Sequence, residues 1–492
     1  MNIAREAAPG LSHSAAIRDK LDHPVIDCDG HCIEFLPYFH EYLTKIGGSA
    51  MSERFKKARI GEQMTKRTPW HTQNVKERLR ESRWKRAFWS LPAGNTLDRA
   101  TAMLPGLLYK RLDEFGIDFS IVYPTAGIEV PFIKEPELRR AAARALNTMQ
   151  ADVFREFRDR MTPVATIPTT DPQEATDELE YCVKTLGLKA IMITGNVHRA
   201  IPVVDEKAPE LARYAPWFDH MAIDSMHDYD PFWAKCMELG VAPTAHSGHQ
   251  GVASHRSVTS YVYNHIGSFA EANHAFCKAV FLGGVTHRFP KLRFGFLEGG
   301  VGWACNLLAD TIGHWEKRNR EAIRHLDPRT LDVKKMKELF TAHGGVMVKG
   351  REAALDELLA RYAVNNDNLD EIDEFAACGV NIEADIHRQF RNYFFGCEAD
   401  DSMNVLAFRG ATRDSHLQAM FSSDISHWDV PDMSETVEEA FELVEDHGMS
   451  MQSFRDFMFV NPARLHAGMN PDFFKGTRVE GAVDKLKAAG DL

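Results

Sequence analysis

Eight short apolar runs punctuate the chain: PVIDCD (24–29), IDFSIVYP (117–124), MTPVATIP (161–168), LKAIMIT (188–194), VAPTAH (241–246), LRFGFLE (292–298), NYFFGC (392–397) and AMFSSD (419–424). Each is apolar on both faces and rich in Val, Ile or Phe. Strands covered on both sides of a parallel sheet read this way. Amphipathic stretches lie between several of them. Residues 136–157 set Leu138, Ala141, Leu146, Met149, Val153 and Phe154 on one helical side. Residues 172–186 form a second helix, with Thr169, Thr170 and Asp171 as capping candidates. A third, 231–239, leads into the fifth run. The alternation predicts an α/β chain folded as a (β/α)8 TIM barrel rather than an open sheet.

The barrel is expected over residues 24–475, after an N-terminal extension (1–23) and before a C-terminal tail (476–492) with a small helix from Arg478. Long insertions follow strands 1 and 6, at 40–110 and 315–390. The first is basic and aromatic, with Trp70, His71, Arg83, Trp84, Lys85, Arg86 and Trp89; the second is strongly charged. Both leave from the C-terminal end of a strand, where barrel loops build the active face. Each stands as a lid, a dimer contact or plain helical decoration.

Composition narrows the partners. The 492 residues are 44% hydrophobic and 26% charged, with a formal net charge of -12, which disfavours nucleic acid as the main partner. The eight cysteines are scattered without a CxxC pair, as expected for buried thiols in a reducing, cytoplasmic setting. Neither a secretory leader nor a run long enough to span a membrane is expected.

Candidate chemistry sits at the strand ends. Asp29 ends the first run and His31 follows two residues on; in an extended segment such a pair points to one side. His246 ends the fifth, Glu298 the sixth and Asp424 the eighth. In a closed barrel these ends share a rim, and two imidazoles with carboxylates suit Zn, Mn or Fe. Any one of these residues alone reads more simply as a turn, a cap or a satisfied structural histidine; their joint placement carries the argument.

The segments VIDCDGHCIE, PTAHSG, GGVTHRFPKLRFGFLEGGVGW, FSSDISHWD and VNPARLHAG resemble the amidohydrolase-2 branch of the amidohydrolase superfamily, from Val25 to Gly468 with the insertions uncovered. That branch contains decarboxylases similar to aminocarboxymuconate-semialdehyde decarboxylase, C–C bond hydrolases and lactonases. The resemblance implies one divalent ion, zinc first and manganese or iron as alternatives, held by Asp29, His31, His246 and Asp424. It also implies a homodimer. Many decarboxylases of the branch have a histidine where this chain has Glu298, in LEGGVGW. The departure favours a hydrolase of a small carbonyl compound, with Glu298 as general acid/base and Asp424 as the competing base. The alternative is a non-oxidative decarboxylase, in which His246, His249 or Glu298 supplies a proton. A third reading is a scaffold that has lost catalysis.

Expected substrate contacts are His249, Thr194, Trp70 and Arg391. Their plainer readings are a loop histidine, a strand-end hydroxyl, packing and a solvated helix charge. Asn196 ends the fourth strand beside Thr194, and Glu398, Asp400 and Asp401 follow the seventh as substrate contacts or caps. His427 is a candidate to orient Asp424, and Trp428 to pack.

Overall fold

The computed structural model describes residues 11–58, 69–85, 94–246, 256–362, 373–410 and 416–492. Ten strands occur among them: β1 (Ile26–Cys32), β2 (Phe119–Pro124), β3 (Met161–Thr166), β4 (Ala190–Ile193), β5 (Val197–Ala200), β6 (Pro216–Asp219), β7 (Pro243–Ala245), β8 (Phe294–Phe296), β9 (Tyr393–Cys397) and β10 (Gln418–Phe421). Eight of them form one sheet in the order β1-β2-β3-β4-β7-β8-β9-β10, and every neighbouring pair is parallel. Helices connect them, so the architecture is the (β/α)8 barrel. All eight predicted runs became its strands. The antiparallel hairpin β5–β6 was not expected: VHRA has no apolar run, and its pairing with PWFD is not legible from local pattern.

Alternation along the strands divides two cores. Phe119, Ile121 and Tyr123 of β2, Val164 of β3, Ala190 and Met192 of β4, Phe394 of β9 and Met420 of β10 share one buried cluster. Their neighbours Val122, Ala165, Ile191, Ile193, Phe395 and Phe421 belong to another, which takes in helix residues such as Phe276, Trp233 and Phe232. The first cluster is the barrel interior and the second lies between sheet and helices. The C-terminal tail also enters the interior cluster, through Val479 and through Val483 and Leu486 of the helix Glu480–Ala489 that follows it.

The predicted helices form with adjusted ends. The first runs Pro136–Val153, continued by a short 3-10 turn, and the second runs Pro172–Glu180 before a π turn over Tyr181–Thr185. Asp171 is the N-cap, its carboxylate accepting from Gln173 N and Glu174 N. The helical segment Leu36–Ala58 runs into the first insertion and the helix Gly302–Arg318 runs into the second, which contains the helices Val333–His343 and Glu352–Tyr362. No helix of the described residues is long and apolar enough to cross a membrane. All eight cysteines are unpaired thiols.

The first strand differs from expectation in a way that matters. β1 does not stop at Asp29 but continues through His31 to Cys32, and its register shifts between Asp27 and Gly30. Strict alternation puts residues 27 and 30 on opposite faces. Here they share one: a Cβ on Gly30 would lie 2.6 Å from Asp27 Oδ2 and 2.5 Å from Ser120 Oγ. The irregularity is a bulge. It lets Asp29 and His31 face the interior beside Tyr123, while Asp27 faces outward. Asp27 then binds across the seam, accepting from Asp29 N (3.1 Å), Ser120 Oγ (2.6 Å) and Ser423 N (2.9 Å).

Candidate metal centre

The barrel closes through the residues of interest. Asp424 N donates to Asp29 O at 2.9 Å, and His31 N donates to Ile425 O at 3.0 Å. These bonds bring β1 and the end of β10 together. On the other side, His246 N donates to Ile193 O at 3.0 Å, fixing the residue after β7 against β4. Leu297 N donates to Ala245 O at 3.1 Å, which sets Glu298 one residue beyond.

The result is a buried group of acids and imidazoles. Asp29, His31, His246, Glu298, Asp424 and His427 are each no more than 7% exposed. His31 Nε2 is the hub: His246 Nε2 lies 3.1 Å away, Asp424 Oδ1 3.2 Å, Asp29 Oδ1 3.4 Å and Glu298 Oε1 3.7 Å. His246 Nε2 is 3.5 Å from both Asp29 Oδ1 and Glu298 Oε1. Metal–ligand bonds of about 2.1 Å place neighbouring donors of one ion about 3.0–3.4 Å apart. The distances from His31 Nε2 to His246, Asp424 and Asp29 match that requirement, and Glu298 lies slightly farther off. The donors fall into two overlapping groups, Asp29–His31–His246–Glu298 and His31–Glu298–Asp424–His427.

Unmet polar demand points the same way. Both carboxylate oxygens of Asp29, and Glu298 Oε2, are buried without a hydrogen-bond partner. A buried carboxylate without a partner is expensive. Burial, reinforced by Glu298 and Asp27, holds the Asp29 carboxyl well above its usual range; burial, then Asp429 and Glu298, does the same for Asp424. His31 is pushed well below its usual range by burial and by His427 and His246. Burial works to raise Glu298 as well, but His246 and His427 outweigh it and bring it down to about 2. A neutral imidazole pair facing several acids is a donor set that a divalent cation satisfies.

The surrounding contacts orient the rings. His427 stacks on His31 at a centroid distance of 3.7 Å. Its Nδ1 is 2.7 Å from Asp424 Oδ1 and 3.3 Å from Glu298 Oε1, and its Nε2 is 3.2 Å from Thr125 Oγ1. Thr125 Oγ1 is also 3.4 Å from His31 Nδ1. Glu298 (φ 56°) and Asp424 (φ 49°) both adopt the left-handed conformation.

The structure therefore brings together Asp29, His31, His246, Glu298 and Asp424. Sequence reasoning gave His427 only an orienting part and overlooked Asp27 and Thr125. The i+3 spacing from Asp424 to His427 was a signal for the first; nothing local marked the other two. Thr194 is buried on the same rim, one residue after Ile193. Trp70 donates its indole N–H to Val258 O at 2.7 Å, with the Arg78 guanidinium 3.7 Å from its ring centroid. Arg391 precedes β9, at the opposite end of that strand from the centre, and lines a groove with Arg388 and Arg464. His249 lies outside the described residues.

Comparison with known proteins adds the following. A family model described as Amidohydrolase (Amidohydro_2) matches residues 26–362. The chain is similar to an amidohydrolase from Mycobacterium avium subsp. paratuberculosis K-10, with 18% identity and a TM-score of 0.52 over 90% of this chain and 99% of that one. It is also similar to a dihydroxybenzoic acid decarboxylase from Polaromonas sp. JS666, solved with bound manganese and the inhibitor 2-nitroresorcinol, at 14% identity and a TM-score of 0.48 over 96% and 99% of the two chains. A 2,6-dihydroxybenzoate decarboxylase from Rhizobium shows 14% identity and a TM-score of 0.46, covering 90% of this chain and 98% of that one. At these identities the likeness is one of fold.

Proposed function

The chain belongs to the amidohydrolase family, and from that premise we propose that it is a metal-dependent hydrolase of a small carbonyl compound: an amide, a lactone or a C–C bond next to a carbonyl, such as an aromatic-degradation intermediate. The observation that carries the reading is the ring of buried donors at 3.1–3.7 Å around His31 Nε2. Asp29, His31, His246 and Asp424 are the proposed ligands, and Glu298 stands close enough to share the ion. Zinc is the first choice for two imidazoles with carboxylates, and the same donors accommodate manganese or iron. A divalent ion held there supplies Lewis acidity towards a carbonyl and towards water.

The chain's own residues do the rest. Glu298, ionised and pointed at both histidines, takes a proton from the attacking water and returns it to the leaving group. Asp424 is the competing base. His427 Nδ1 faces both carboxylates, so one imidazole nitrogen links Asp424 to Glu298. Thr125 holds the far side of that ring.

Family membership fits decarboxylation as well as hydrolysis. Incubating candidate acids, lactones and amides in 18O-water separates them. Hydrolysis incorporates label into the product carboxyl; release of CO2 without incorporation shifts the assignment to decarboxylase. We further propose a homodimer, on family resemblance, and a cytoplasmic location, on the unpaired thiols.

A further inference from the structure

A small void shares a wall with the metal centre. The helix Thr96–Thr101 of the first insertion and the turn after β10 enclose it, and His427 lines it. Its volume is about 10 Å³, room for one occupant the size of a single heavy atom. Two polar atoms of its lining residues are buried and make no hydrogen bond: Arg99 Nη1 and Ser426 Oγ. Asn95 supplies a third donor. Its Oδ1 accepts from Asp98 N at 3.0 Å, which leaves Asn95 Nδ2 without a partner among the described residues. Ser426 is held at φ 83°, a conformation that costs about 1–2 kcal/mol in a residue with a Cβ.

The charge around the void is one-sided. Arg99 forms no ion pair among the described residues; burial lowers its guanidinium and no acid raises it. Asp98 brings a carboxylate to the wall, but both oxygens are engaged: Oδ1 receives Arg111 Nη1 at 2.5 Å and Oδ2 receives Met433 N at 2.9 Å. The rest of the wall is apolar, with Ala102, Val430 and Pro431. A cation whose N–H is sealed from water without a counter-charge is unfavourable. A water molecule must donate as well as accept, and of the three unpartnered groups only the Ser426 hydroxyl can take a hydrogen from it. An anion accepts from all three donors at once and supplies the missing charge. The volume excludes sulfate, phosphate and carboxylates, which leaves a monatomic anion.

We propose that this void is a halide site: one chloride ion, held by Arg99 Nη1, Asn95 Nδ2 and Ser426 Oγ against the apolar wall. Two of the donors come from the first insertion and one from the turn after β10, so the ion pins the insertion to the end of the barrel. It does so beside His427, whose Nδ1 faces Asp424 and Glu298. None of the three donors is a proposed metal ligand, and the site does not depend on the metal-centre reading.

The test is the thermal midpoint of the full chain in sodium chloride, sodium bromide and sodium gluconate at matched ionic strength, before and after chelation with EDTA. Chloride and bromide should raise the midpoint above that in gluconate, saturably and in both forms, as a ligand of the folded state does. Arg99→Gln and Ser426→Gly should each weaken the apparent halide affinity at least tenfold, the scale of one hydrogen bond to an ion. Glycine accepts the φ of Ser426 without strain, so the second variant keeps the fold where the first fails to. Wild-type crystals in bromide should show an anomalous peak within hydrogen-bond reach of Arg99 Nη1 and Ser426 Oγ. Equal midpoints in the three salts, or a halide affinity unchanged in either variant, overturns the inference. So does a halide effect lost on chelation, which assigns the ion to the metal, or a bromide map without that peak, which assigns the void to water. Because the chelated protein is measured directly, failure of the metal-centre reading leaves this result readable.

Discussion

Glu298 and Asp424 are held with φ of 56° and 49°, where a side chain with a Cβ is strained by about 1–2 kcal/mol each. Such conformations persist only where the surroundings dictate them. For Asp424 the backbone bond to Asp29 O does so, and that bond also closes the barrel. Each carboxylate is thereby aimed at His31 rather than at solvent. Glu298→Gln preserves the shape but removes the base, so turnover should fall by about 10²–10⁴-fold while metal content stays stoichiometric. Parallel steady-state kinetics and elemental analysis check this, and unchanged turnover removes Glu298 from the chemistry. His246→Ala should instead release the metal, read by the same elemental analysis. A different histidine sets a pH dependence. His466 is buried, stacks on Phe473 at 4.5 Å, and is lowered by burial to about 3 from 6.5. Between those values the unfolded chain binds the extra proton, so stability is complete above about 6.5 and falls as pH drops towards 3. His466→Phe should flatten the decline of Tm between pH 6.5 and 4; an unaltered slope removes His466 as its source.

At the scale of elements, the bulge in β1 decides which way Asp29 and His31 face. The apolar run PVIDCD predicted a strand, and the D-x-H spacing predicted that Asp29 and His31 share a side. Which side was not legible, because it depends on the register shift between Asp27 and Gly30. Asp27 accepts three hydrogen bonds, one from Asp29 N within β1 and two that tie β1 to Ser120 of β2 and to Ser423 at the end of β10. The two cross-strand partners lie 93 and 396 residues away, beyond any local pattern. Asp27→Ala leaves two buried backbone donors unsatisfied and should destabilise the fold by about 2–4 kcal/mol. Gly30→Ala would drive a methyl into Ser120 Oγ and Asp27 Oδ2, costing about 1–3 kcal/mol. Urea unfolding of both variants tests the clamp; a midpoint within error of wild type for either shows that this end of β1 is not held as described.

For the whole molecule, the eight barrel strands were readable because strands buried on both faces leave continuous apolar runs. The hairpin β5–β6 escaped because its residues are mixed and its pairing is long in sequence. The placement of Arg391 escaped for a related reason: an arginine just before a strand and a ligand just after one read alike until the barrel separates its two mouths. The acids and histidines that the structure gathers could be grouped from the sequence because they stand at or next to the ends of those apolar runs. Sealing their charges inside a closed cylinder makes folding and metal binding interdependent. Chelation should lower Tm, by an amount equivalent to about 2.7 kcal/mol for a metal present at one hundred times its Kd. The most direct test is an anomalous difference map from crystals loaded with manganese. The account predicts one strong peak about 2.1 Å from a carboxylate oxygen of Asp29 and from the Nε2 atoms of His31 and His246. A map with no peak among these residues, or with its peak bound elsewhere on the chain, contradicts it.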